Sequence, residues 1–323
     1  MMEGIFATLF QIALVLLLAP LITGFNRVFK ARVQTRQGPS LIQPYRDLYK
    51  LLRKGMVIPE TASWIFSATP LVLFVTTLLA SLLIPTVCAR APLSVFGGVL
   101  AVVYLLALGR FFLALGGLDA GSSFGGLGSS REMTISAIAE PALMLALFTV
   151  ALGANTSVAI GSGSTNLSIV ALSELGHSWL FLAPSQMLAF AALFIVLIAE
   201  TGRIPVDNPA THLELTMIHE AMILEYSGSY LALIEWAAAI KQLLLMTILV
   251  NIFFPFGLSM TWAPAAVLSS LLWFLLKLLL LSLVVGVVEV SNAKMRLFRV
   301  PELLAVAFVL GALALISTFL FQG

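Results

Sequence analysis

Five carboxylates and two imidazoles crowd into residues 199–230, AETGRIPVDNPATHLELTMIHEAMILEYSGSY. They are Glu200, Asp207, Glu214, Glu220 and Glu225, with His212 and His219. Crowded carboxylates in a low dielectric hold protons more readily than isolated ones, and imidazole exchanges protons near neutral pH. The set is therefore best read as a hydrated chain of proton carriers. Two other readings stay open. His212, His219 and Glu220 could hold a metal ion, although no HExxH or Cys/His spacing supports one. The acids could instead pair with Arg203, Lys241 and Arg110. Four more carboxylates, Glu132, Glu140, Glu235 and Glu289, lie within or at the ends of apolar stretches. A charge at bilayer depth costs about 2.5–3.5 kcal/mol on insertion scales, so such groups face a bundle interior, a counter-charge or a proton.

Helices must position these groups. Pro205 and Pro209 break the helix that ends near Glu200, and a second helix is expected from about Ala210 toward Glu225. On it Glu214 and Glu225 share one face, and His212 and His219 share another. The composition excludes an ordinary soluble domain. Sixty per cent of the residues are hydrophobic and 10% charged, with mean hydropathy +1.08; soluble domains carry about 25% charged residues. Roughly 20 apolar residues cross a bilayer. Eight segments meet that length: about 4–24, 65–87, 93–115, 132–154, 179–200, 229–254, 264–289 and 302–321. The expected fold is all-α, one polytopic membrane domain over residues 1–323. The first segment reads as a permanent span and not a signal peptide, because basic residues follow it and no small-residue cleavage site does. The single Cys88 excludes a disulfide framework or a cysteine-ligated cluster carried by this chain alone. A net charge of +2 gives no reason to expect nucleic acid.

Eight of the 17 Lys and Arg residues lie between Arg27 and Lys54. Arg131, Arg203, Lys294, Arg296 and Arg299 fall in later odd-numbered connections, and the even ones hold only Arg90. The bias makes the odd connections cytoplasmic and puts both termini outside. Residues 27–58 form a basic loop with an amphipathic helix, carrying Tyr45, Leu48, Leu51 and Leu52 on one side. Arg46, Asp47, Lys50, Arg53 and Lys54 take the other side. Such a helix could lie on anionic headgroups or be sandwiched between the bilayer and a soluble partner. The acidic segment 200–228 is a second cytoplasmic loop. Residues 116–132, GGLDAGSSFGGLGSSRE, have no preceding strand and no Gly-Lys-Ser/Thr, which excludes a phosphate loop. They are expected to form an irregular, closely packed loop, with a helix starting at Ser130.

Three stretches carry a family resemblance. Residues 31–51, ARVQTRQGPSLIQPYRDLYKL, resemble the first cytoplasmic loop of subunit 1 of respiratory complex I, with its R-x-G-P and Q-P-x-x-D-x-x-K-L patterns. ETGRIPVDNP at 200–209 and EYSG at 225–228 resemble that family's E-T-N-R-x-P-F-D-x-P and E-Y-S-G segments. Residues 117–141 and YRDLYKL at 45–51 are more similar to the corresponding membrane subunit of formate hydrogenlyase and hydrogenase-4. Those are membrane-bound [NiFe] hydrogenases related to complex I.

The resemblance implies a subunit of an oxidoreductase complex in the prokaryotic cytoplasmic (inner) membrane. It would have no redox centre, catalytic residue or metal ligand of its own. It would anchor a peripheral arm whose [NiFe] and Fe–S centres belong to hydrogenase-like large and small subunits and a ferredoxin-like subunit. Arg27, Lys30, Arg32, Arg36, Arg46, Asp47 and Lys50 would dock that arm. Glu140, Glu200, Asp207, Glu214 and Glu225, with His212, would form an acidic path toward antiporter-like membrane subunits, and Arg203 would pair with one of them or shape the cavity. The chain departs from the family at ATHLEL, 210–215, where relatives read E-A-E-x-E-L. Ala210 and His212 thus replace two carboxylates, so His212 either substitutes as a carrier or the path is severed. The same departure puts quinone binding in question. Two alternatives are the quinone-site subunit of complex I itself and an independent secondary transporter. Transporters show repeats and paired broken helices, whereas here only one segment is strongly broken.

Overall fold

A computed structural model describes residues 2–89, 91–93, 98–153, 183–207 and 217–322. The helices are α1 (Met2–Val33), α2 (Gln43–Arg53), α3 (Trp64–Leu82), α4 (Val99–Asp119), α5 (Ser123–Gly153), α6 (Pro184–Glu200), α7 (His219–Ile223), α8 (Gly228–Phe253), α9 (Pro264–Ser291) and α10 (Val300–Gln322). Among the described residues seven helices are long and apolar enough to cross a membrane, and α6 is a shorter apolar helix. The fold is all-α, with seven long spans plus α6 at the eight expected places. The chain is a multi-pass membrane protein.

Two expectations need correction. The Gly/Ser-rich stretch is not a loop and no helix starts at Ser130; α5 begins at Ser123 and runs through it. Glycine disfavours helix in water, but between membrane helices it allows backbones to approach. A Cβ on Gly117 would meet Ser129 and Met222, and one on Gly125 would meet the Gly117 carbonyl of α4. Gly125→Ala should therefore push α5 off α4 and lower stability by about 1–3 kcal/mol, read as a lower melting temperature in detergent. The second correction concerns the helix expected from about Ala210 toward Glu225. Residues 208–216 lie outside the described ones, and α7 stops at Ile223 before reaching Glu225.

Helix α1 outruns its apolar core by two turns, so Arg27, Lys30 and Arg32 ride on its end. Pro44 starts α2, and Tyr45 of α2 donates its hydroxyl to the Leu17 carbonyl of α1. Partial burial pushes that phenol above its ordinary value, which keeps it a donor. In the bundle α5 packs on α4, α6 and α10, α8 on α3 and α1, and α9 on α1.

At the end remote from the basic segment, two non-helical runs replace helix, the first buried throughout and the second half-buried to exposed around the buried Ser259. Residues 83–89 follow α3 and 254–261 follow α8; Ser259 donates to the Val87 carbonyl at 3.1 Å, and Ala89 to Ser259 at 3.0 Å. Irregular backbone survives at membrane depth only where protein satisfies it. Here three buried side chains do so. Gln11 Nε2 bonds the Ser81 and Ile84 carbonyls at 2.7 and 2.9 Å. Asn251 Nδ2 bonds those of Pro85 and Thr86 at 2.8 and 2.7 Å. Lys277 Nζ reaches the Phe254 carbonyl at 2.9 Å and Asn251 Oδ1 at 3.1 Å.

Candidate functional site

Helix α6 is stopped by its own sequence. Gly202, at φ 57°, donates to the Ala199 carbonyl, and Arg203 donates to that of Ile198. This is the paired bond pattern of a glycine-terminated helix. The cap leaves Glu200 in the last turn and sends Arg203 back across the bundle.

Two charge clusters result. In the first, Glu200, with its side chain 3% exposed, takes Arg110 Nη1 of α4 at 2.7 Å and Lys241 Nζ of α8 at 2.8 Å. Arg110 also reaches Ser136 at 2.9 Å and Glu140 at 3.5 Å, both on α5. In the second, Glu289 of α9 is held between Arg203 and Lys30, the latter at 3.2 Å. Arg203 extends to Gln242 Oε1 at 2.7 Å. Lys241 and Gln242 are neighbours on α8, so the two clusters abut. A third pair joins Lys294 to Asp207 at 2.7 Å, and the other Asp207 oxygen accepts from the Ile218 amide at 3.3 Å.

Arg110, Glu200 and Lys241 of the first cluster and all of the second line one cavity of about 670 Å³, reaching from Arg36 and Pro39 beyond α1 to Arg110 midway along α4, whereas Ser136 and Glu140 are not on its wall. Glu132 and Glu235 line it too. Two buried donors on this wall, Arg110 Nε and Asn26 Nδ2, have no hydrogen-bond partner among the described residues. A polar cavity of this size has room for the water that such groups require. Chemically, the arrangement is a set of alternating acids and bases beside space for water. It can hold and pass charge without a redox group.

The expected site residues separate on inspection. Glu140, Glu200, Arg110 and Lys241 come together; Asp207 stands nearby with Lys294. Glu225 is exposed and absent from the cavity wall, while Glu214 and His212 lie outside the described residues. Arg203 pairs with Glu289, one of the four carboxylates within or at the ends of apolar stretches, but not one of those expected on the acidic path. Lys30 turns inward to Glu289, whereas Arg32, Arg46 and Lys50 stay exposed and Arg27 meets Asp47 at 3.9 Å on the surface. Gln242 and Ser136 were missed; their only signal was a polar residue inside an apolar span. Among the described residues no group of three or more His, Cys, Asp or Glu could hold a metal ion.

The EYSG segment has a different task. Tyr226 stacks on Phe66 at 4.0 Å and donates to its carbonyl at 3.2 Å. Burial pushes this phenol well above its ordinary value, so it remains a donor. Ser227 Oγ accepts from the Val57 amide at 2.9 Å. Gly228, at φ 57°, leaves no room for a Cβ beside the Lys54 and Gly55 carbonyls. The segment thus clamps the connection after α2 onto the start of α8.

A multi-pass helical bundle around a charged cavity is the membrane-subunit architecture anticipated from the motifs. The sequence profile of the NADH dehydrogenase family matches residues 6–320, and the chain belongs to that family. It is 36% identical over 305 residues to hydrogenase-4 component C of Escherichia coli (strain K12), covering 94% of this chain and 92% of that one. It is 34% identical over 310 residues to formate hydrogenlyase subunit 4 of the same organism, covering 96% and 97%. A subunit of the NADH-quinone oxidoreductase of Koribacter versatilis (strain Ellin345) is more distant, 29% identical over 275 residues and covering 79% and 63%. The resemblance to the hydrogenase-complex subunits is thereby borne out, with the quinone oxidoreductase subunits behind them. In fold, the chain is similar to one in the membrane-bound sulfane sulfur reductase, an archaeal respiratory membrane complex. The TM-score is 0.83 at 20% identity, covering 98% and 99% of the two chains.

Proposed function

We propose that this chain is the non-redox membrane subunit of an energy-converting, hydrogenase-type complex, coupling electron transfer in partner subunits to proton movement. The observation that carries the reading is the Arg110–Glu200–Lys241 cluster, buried in a cavity whose other end is walled by the basic segment. Buried charges are costly unless they work or are paired; here they are paired in a row beside room for water. Glu140 and Glu200 carry the path, Arg110, Lys241 and Arg203 hold its charges, and Asp207 continues it. The exposed basic residues Arg27, Arg32, Arg36, Arg46 and Lys50 dock a peripheral arm that holds [NiFe] and Fe–S centres. Antiporter-like membrane subunits receive the protons. The chain sits in the prokaryotic cytoplasmic membrane with the basic segment inside and both termini outside. The greater identity to the two hydrogenase-complex subunits favours this reading over a quinone-site subunit.

The test is to purify the complex gently through a tag on this chain, identify its partners by mass spectrometry and assay nickel. Nickel together with a hydrogenase-like large subunit is the expected outcome. Recovery of the chain alone, under conditions that preserve other membrane complexes, would overturn the assignment.

A further inference from the structure

Lys277 stands midway along α9, 7% exposed, with no carboxylate among the described residues within ion-pairing distance. Among the described residues its ammonium is held by neutral groups, Asn251 Oδ1 at 3.1 Å and the Phe254 carbonyl at 2.9 Å, with the Phe256 ring centroid 5.4 Å away. Both partners are acceptors. A neutral amine keeps two N–H bonds, enough for both, so this pocket accommodates the lysine with or without its third proton. No acid among the described residues locks the proton in place.

The lysine also ends a row of polar groups. The buried stripe of α9 carries Lys277, Ser282 and Glu289. Ser282 donates to Asn26 Oδ1 of α1 at 2.7 Å, and Asn26 Nδ2, on the cavity wall, is unpartnered among the described residues. At about 1.5 Å per residue, Glu289 to Ser282 is roughly 10 Å and Ser282 to Lys277 roughly 8 Å along the helix. The facing stripe of α8 supplies Gln242, Thr247 and Asn251, all buried. The seam between α1, α8 and α9 is thus polar at intervals from the charged cavity to the remote end, with Leu278 and Leu281 closing its last step.

We infer that Lys277 is a proton-carrying site, reached from the cavity through this seam. It gives the chain a route toward the remote face in addition to any sideways transfer. In the step, an Nζ–H bond breaks and the proton passes to a water on the remote side, giving hydronium there and leaving the neutral amine; the amine then takes a proton from a hydronium arriving on the Ser282 side, which is left as water. The inference rests on the proposed coupling function.

Arginine separates a carrier from a structural cap, because it keeps charge and hydrogen bonds but does not release its proton. Wild type, Lys277→Arg and Ser282→Ala complexes would be reconstituted in proteoliposomes and turned over on reduced methyl viologen, with proton movement read by trapped pyranine. Subunit composition and melting temperature would be measured alongside. The expected result is a K277R complex with wild-type composition whose proton translocation falls at least tenfold, and a several-fold fall for S282A, which leaves the lysine untouched. Wild-type translocation by K277R overturns the inference and leaves Lys277 as a cap. If K277R does not assemble, S282A decides: unchanged translocation overturns the seam. A wild-type complex that moves no protons sinks the coupling function together with this route.

Discussion

Glu200→Leu is expected to cost about 3–5 kcal/mol of stability, because breaking a buried pair from one side leaves an uncompensated charge. Here it strands two, Arg110 and Lys241, which both bind this 3%-exposed carboxylate. Arg110 retains Glu140 at 3.5 Å, but that acid is one-third exposed and a weaker partner. The measurement is the melting temperature and yield of the tagged complex in detergent. Adding Lys241→Met to Glu200→Leu removes one of the stranded cations and should restore part of the loss, a coupling that independent sites would not show. Unchanged stability in the single variant would mean that water, not protein, surrounds the pair. Glu200→Gln, which keeps shape and most hydrogen bonding, should assemble far better than Leu yet fail to pass protons. Normal proton translocation by E200Q would remove Glu200 from the path.

Asn251→Leu should do comparable damage at the opposite end. The fully buried amide serves three groups: it donates to the Pro85 and Thr86 carbonyls and accepts from Lys277. Leucine fits the volume but satisfies none of them. Each orphaned buried group costs roughly 1–3 kcal/mol. A melting temperature many degrees lower is expected, with faster proteolysis in the 83–89 run than elsewhere. A wild-type melting curve would show that the two non-helical runs hold each other without Asn251.

The positions of the spans were legible in the sequence because the bilayer imposes a length and forbids unpaired backbone, so apolar runs of about 20 residues read almost directly as helices. The family motifs were legible for the same segments. Segment 123–131 was not, because helix propensity in water ranks glycine low, while the decisive term here is how near α4 and α5 can come. The sequence also marked Arg110, Glu140, Glu200 and Lys241 as buried charge, since each interrupts an apolar run. It could not say which acid meets which base. Arg203 and Glu289 are 86 residues apart, and Lys30 joins them from the first helix. That choice belongs to the packing of α1, α8 and α9 and to the Gly202 cap that turns Arg203 inward. The exposure of Glu225 follows from α7 ending at Ile223. Periodicity, charge bias and motif thus determined the spans, the basic segment and the family. Only tertiary structure decided the counter-ion of each buried charge, the use of Asn251 and Lys277 to satisfy carbonyls of the two non-helical runs, and the cavity. The reason is that a buried polar group takes its stability from the partner the fold delivers, and nothing local in the chain encodes that partner.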